Sequence, residues 1–200
     1  MRDTSILYNG QWGVFMHFLS DRASPQPMTP KAWNAVVDGF DVAGLARELH
    51  QVRAGYLMFT AGQNSGYFCA PNPVYDQIVG HPEPHTSRRD LVAELAEALK
   101  QYEIPLFVYI PANPPFKDLQ AVDAFEFCDV LQCTGRQAEF QRKWERMLRH
   151  WSERWGSNIA GWWVDGCYLA GNRKLYCHAD EPNFASFGRA LRAGNPESLV

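Results

Sequence analysis

Hydrophobic and polar positions along the chain follow two rhythms. Short apolar runs bounded by Gly, Pro or charged residues occur at residues 11–18 (QWGVFMHF), 56–60 (YLMFT), 106–110 (LFVYI) and 159–164 (IAGWWV). Runs of this length, rich in aromatic and β-branched residues, predict strands covered on both faces, the first ending near His17. Between them the spacing changes to that of a helix. Val42, Leu45, Ala46, Leu49 and Val52 predict a helix from residue 42 to about 52, with Asp41 as its N-cap. Leu91, Leu95, Ala98 and Leu99 share one face of a helix over 90–102. Phe140, Trp144, Met147, Leu148 and Trp151 do so over 137–155, with Arg142, Lys143, Glu145 and Arg146 on the outer face. Pro182 suits the first turn of a helix running to about residue 192, and residues 198–200 would begin a fifth strand. The polar, Pro-rich stretches at 24–30, 61–87 and 111–135 read as loops, the last with a short helix near 119–127.

The predicted order is βαβαβαβα followed by the start of a strand. That alternation gives an α/β protein with a parallel sheet and right-handed crossovers. Two architectures fit: a doubly wound open sheet, or a (β/α)₈ barrel, which typically needs about 250 residues. The chain has 200 residues and is read as one domain, residues 1–200. It carries neither G-x-G-x-x-G after the first strand nor a Walker A sequence, so no dinucleotide or P-loop fingerprint is present. The longest loops all follow strands, the functional edge in both architectures.

Composition narrows the partners. A formal net charge of −3 lacks the cationic excess of a phosphate-binding surface, so nucleic acid is not expected as a partner. No apolar run approaches the roughly 20 residues of a membrane span, and Met1–Ser5 precede no signal-peptide core, so the chain as given reads as cytoplasmic. A processed N-terminus would make it periplasmic or secreted. Cys69, Cys128, Cys133, Cys167 and Cys177 are odd in number and show no C-x-x-C, which argues against a disulfide framework and for reduced thiols. Seven tryptophans serve either core packing or the faces of a sugar site.

Polar residues at the strand ends are the candidate chemistry: His17; Gln63, Asn64 and Ser65; Tyr109 and Asn113; Trp163 and Asp165. In a parallel sheet these ends converge on one mouth. One carboxylate, one imidazole, neutral hydrogen-bonding groups and rings suit a neutral, hydroxyl-rich ligand better than a phosphate or a metal. Plainer roles stand beside each: a core histidine for His17, turn chemistry for Asp165-Gly166, loop closure for residues 63–66. His81 and His85 lie in a Pro-rich loop and read as solvated; their spacing with His178 does not suggest a metal site.

Four stretches together resemble the α-L-fucosidase family of retaining glycoside hydrolases. Trp12-Gly13-Val14-Phe15-Met16-His17-Phe18 resembles its first strand, W/F-G-x-F-x-H-W-G. Phe40-Asp41-Val42-Ala43 and Ala54-Gly55-Tyr56-Leu57-Met58-Phe59-Thr60-Ala61 resemble its next helix and second strand. Arg89-Asp90-Leu91-Val92 with Leu106-Phe107-Val108-Tyr109 resembles the following helix and strand, and Trp162-Trp163-Val164-Asp165-Gly166 its W-F-D-G. The resemblance implies a (β/α)₈ TIM-barrel-like catalytic domain, of which this chain holds the N-terminal half and the start of the fifth strand. It implies Asp165 as the nucleophile, with His17, Gln63, Asn64 and Tyr109 on sugar hydroxyls and Trp163 against the ring. The family's K-H-H-D-G-F is replaced by Gly62-Gln63-Asn64-Ser65-Gly66-Tyr67, so its two sugar-binding histidines are absent. The acid/base carboxylate is expected beyond Val200, with Asp180 and Glu181 the in-chain candidates. The implied partner is a carbohydrate substrate, with no metal or organic cofactor. The open edges of a half barrel fit a longer protein or pairing with another copy. A non-catalytic carbohydrate-binding relative of the same fold is the alternative.

Overall fold

Four strands, β1 (Val14–Met16), β2 (Leu57–Thr60), β3 (Leu106–Pro111) and β4 (Gly161–Asp165), pair in parallel in the order β1-β2-β3-β4. The computed structural model describes residues 4–24, 26–128, 135–167 and 176–200; Pro25 and Cys133 lie outside them. Strand order follows chain order with no reversal, so among these strands there is no switch point of a doubly wound sheet. The expected fifth strand is present as a single parallel bridge, Leu199 to Gly161. The Trp162 amide donates to the Leu199 carbonyl (2.8 Å) and the Leu199 amide to the Ala160 carbonyl (3.1 Å). This is an α/β arrangement with a four-stranded parallel sheet, consistent with a partial TIM-barrel-like domain.

The register sorts side chains onto two faces, because neighbours along a strand point to opposite sides. Leu57, Phe59, Leu106, Val108, Ile110 and Trp162 share one face and pack into the main core. Phe15, Met58, Thr60, Tyr109, Trp163 and Asp165 share the other. Helices α1 (Ser5–Asn9), α2 (Ser20–Ala23), α3 (Pro30–Asp38), α4 (Val42–Gln51), α5 (Pro73–Val79), α6 (Leu91–Lys100), α7 (Leu119–Ala124), α8 (Ala138–Trp155) and α9 (Phe184–Leu191) supply the connections. Asp41, Asp90 and Asp118 cap α4, α6 and α7, each through a side-chain oxygen on a first-turn amide. A ladder of rings joins α8 to the sheet: Trp151 stacks on Trp155 at 5.4 Å, and Trp155 lies 5.6 Å from Trp162.

Three sequence expectations are corrected. The stretches read wholly as loop contain α5, and α3 begins at the end of the first. Each starts on a cap-then-proline pair, Thr29-Pro30 and Asn72-Pro73, whose side-chain oxygens accept from the amides of Ala32 and Tyr75. The last helix starts two residues later than Pro182, because Asn183 forms a reciprocal capping box with Ser186; the Glu181–Pro182 peptide is cis. Cys69, Cys167 and Cys177 are free thiols, but Cys128 is disulfide-bonded, against the expectation of reduced cysteines throughout.

Asn72 ties a loop to a helix. It is fully buried, its Oδ1 accepts from the Tyr75 amide (3.0 Å), and its Nδ2 donates to the Met147 carbonyl of α8 (3.1 Å). Asn72→Ala removes a cap and a buried hydrogen bond together. The expected loss is about 2–3 kcal/mol in urea unfolding. A loss below about 0.5 kcal/mol would mean that water replaces both partners.

Candidate functional site

The face of the sheet opposite the main core carries the candidate chemistry at the C-terminal strand ends. Tyr109 sits on β3, register-paired with Thr60 on β2 and Trp163 on β4. Its hydroxyl donates to Asp165 Oδ2 (2.5 Å), and Gln63 Nε2 donates to the same hydroxyl (2.5 Å). Gln63, Tyr109 and Asp165 thus form one hydrogen-bonded chain across three neighbouring strands. Charge assistance makes the phenol–carboxylate link the stronger part. Asp165 is half-buried, its own carbonyl accepts from the Ala112 amide (2.7 Å), and Gly166 follows at φ +97°. That left-handed conformation favours glycine and turns the chain away directly after the carboxylate.

His17 is exposed and joins this group from β1. Its Nδ1 lies 2.8 Å from Thr60 Oγ1, and its ring meets the edge of Tyr109 at 5.0 Å. It is not a core histidine. Phe15 connects His17 (4.7 Å), Tyr109 (5.6 Å) and Trp163 (5.8 Å). Phe15 and Trp163 are 43% and 47% exposed, so the mouth holds an open aromatic surface beside a polar line. Trp162, by contrast, is buried, and its Nε1 donates to the Leu191 carbonyl (2.8 Å). The adjacent tryptophans divide between the two faces, as alternation requires.

Asn64 stands apart from the hydrogen-bonded chain. Its backbone carbonyl accepts from the Lys117 amide (2.9 Å), and its side chain makes no hydrogen bond among the described residues. Phe15 and Thr60 were missed from sequence; their signal was strand alternation with His17 and Met58. Cys167 lies two residues beyond Asp165. Burial, aided by the Asp165 charge, pushes its thiol pKa up to about 11, so it is protonated at neutral pH and not a nucleophile there. Glu181 pairs with Arg189 on the surface.

His81 and His85 are not solvated. Their side chains are 11% and 17% exposed, and both address Asp118 Oδ2, from His81 Nε2 at 2.8 Å and His85 Nδ1 at 3.2 Å. Burial pushes the Asp118 carboxyl up, but the hydrogen bonds from His85 and His81 outweigh it and hold its pKa below the usual carboxylate range.

No protein-family model matches the chain, and no curated protein sequence does. Solved structures do. The endo-fucoidan hydrolase P5AFcnA of glycoside hydrolase family 107 superposes with a TM-score of 0.64 at 16% identity, over 94% of this chain and 49% of that one. An α-L-fucosidase of family GH29 from Bacteroides thetaiotaomicron does so with a TM-score of 0.66 at 15% identity, over 100% of this chain and 48% of its own. A second family 107 enzyme, MfFcnA4, gives 0.63 at 14% identity over 94% and 32%. The chain thus has a fucosidase-like, glycoside-hydrolase-like fold. It spans about half the length of the first two structures or less. At these identities the likeness is one of fold.

Proposed function

We propose that this fold belongs to a retaining glycoside hydrolase acting on an α-L-fucoside or a related sugar, with Asp165 as the nucleophile. The observation that carries the reading is the Gln63–Tyr109–Asp165 chain, set beside His17 and the open rings of Phe15 and Trp163 at the C-terminal strand ends. Tyr109 holds Oδ2 and leaves Oδ1 to attack the anomeric carbon. A carbon–oxygen bond forms to Asp165 as the bond to the leaving oxygen breaks, and a second carboxylic acid protonates that oxygen. Water then cleaves the glycosyl ester, with the second group acting as base, and configuration is retained. The neighbours named fucosidases and fucoidan hydrolases support the sugar class. The test is turnover of a panel of aryl glycosides that includes α-L-fucoside, with product configuration read by NMR. Retained configuration on one sugar is expected. Binding without turnover on every sugar would favour a non-catalytic carbohydrate-binding relative.

The side chain of Asn64, which makes no hydrogen bond among the described residues, gives a narrower expectation. Asn64→Ala should weaken sugar affinity by about 1–3 kcal/mol and leave the melting temperature within about 1 °C, because it removes ligand hydrogen bonds but no internal ones. Equal losses of affinity and stability would assign this amide to loop closure instead.

A further inference from the structure

We infer that His81, His85 and Asp118 form a binding site for one divalent metal ion of the zinc class. His81 Nε2, His85 Nδ1 and Asp118 Oδ2 lie within 4.8 Å of one another. The two nitrogen–oxygen separations are 2.8 and 3.2 Å. The edge of a tetrahedron with metal–ligand bonds of about 2.0–2.1 Å is about 3.3 Å, close to both nitrogen–oxygen separations, and one ion is held once the stacked imidazoles turn so that both lone pairs converge on it. Two imidazoles and one carboxylate are donors that suit zinc and its neighbours and not magnesium or calcium, which prefer all-oxygen shells. The two imidazoles and the carboxylate supply three ligands, and a water would complete a four-coordinate shell.

The surroundings hold these three groups in place. Asp118 commits Oδ1 to the Ala121 amide at the start of α7 (3.1 Å), which leaves Oδ2 facing the histidines. The imidazole rings stack with centroids 3.6 Å apart, and the Tyr67 ring covers His85 at 4.3 Å. Gly66 passes so close that a Cβ there would lie 2.4 Å from Asp118 Oδ2, and its φ of +84° is one that glycine adopts readily. Close by, Asp76 lies in the field of both imidazoles, and its buried Oδ1 has no hydrogen-bond partner among the described residues.

The consequence is mechanical. His81 and His85 belong to the segment between α5 and α6, and Asp118 is the cap that ends the segment between β3 and α7. The Lys117 amide, next to Asp118, already holds the carbonyl of Asn64. A metal here clips these two segments together and takes no part in bond cleavage. The site does not depend on the glycosidase reading.

The test is a titration of chelator-treated protein with Zn²⁺ alone, against a competing chromophoric chelator. One equivalent bound at micromolar affinity or tighter is expected. Asp118→Asn and His85→Ala should each weaken it by about 100-fold or more, while His50→Ala and His178→Ala leave it unchanged. Co²⁺ should give a tetrahedral visible spectrum that the same two variants abolish. His81→Gln, which keeps the size of the side chain, serves if either variant fails the far-UV circular dichroism check. No equivalent bound by the parent, or equal affinity in all three site variants, would overturn the site and leave a hydrogen-bonded latch between the loops.

Discussion

Replacing Asp165 by Asn in the intact protein is expected to lower kcat by at least about 10³-fold, with substrate affinity within about tenfold of the parent. The amide has nearly the shape of the carboxylate and still accepts the Tyr109 hydrogen bond at one oxygen, so the pocket survives. It cannot form the glycosyl ester, so the covalent step is lost. If Asp165 only shapes the turn before Gly166, Asn serves equally well and activity stays near normal. Initial-rate assays of both proteins separate the two cases; activity of the variant within a few-fold of the parent would end the nucleophile assignment.

The largest expected stability effect lies at the other side of the sheet. Trp151 is fully buried against Phe68 and Trp155, and its Nε1 donates to the Pro71 carbonyl (3.0 Å). Trp151→Ala leaves a large cavity and an unpaired carbonyl, at an expected cost of about 3–5 kcal/mol. Domains of this size are stable by about 5–15 kcal/mol, so the variant sits near the edge of folding. Trp151→Phe keeps most of the ring contact and loses the donor, for which about 1–2 kcal/mol is expected. Urea midpoints at unchanged m-value report both. A loss under about 1.5 kcal/mol for the Ala variant would show that the neighbouring rings close over the space.

The elements read most directly from sequence are those whose signal is local. The β2 and β3 runs read as unbroken, non-alternating stretches because every position along them is buried. The caps Asp41 and Asp90 announce α4 and α6. Short helices led by proline were hidden because Pro and Asn also mark turns, and only the cap-then-proline order separates the two readings. His17, Tyr109 and Asp165 were legible as strand-end residues. That Gln63 reaches Tyr109, and Tyr109 reaches Asp165, depends on register between strands 46 and 56 residues apart. The pairing of His81 and His85 with Asp118 spans 37 and 33 residues and left no trace in spacing. The Cys128 disulfide was missed because an odd cysteine count without C-x-x-C was read as a sign of free thiols, and that count does not exclude a bond at one of them.

The sequential order of the sheet bears on how the chain comes to be folded. Each strand lies beside the one translated just before it, and the bridge at Leu199 continues the series on the free side of β4. As the polypeptide leaves the ribosome, every new strand–helix unit meets a finished edge and need not wait for a distant partner. Growth of this kind closes only one modest loop at a time, with β1 as one outer edge of the described sheet and the newest strand as the other. The newest edge is where unfinished chains would stick to one another, so the interval between synthesis of β4 and of the Leu199 bridge beside it is a period of risk.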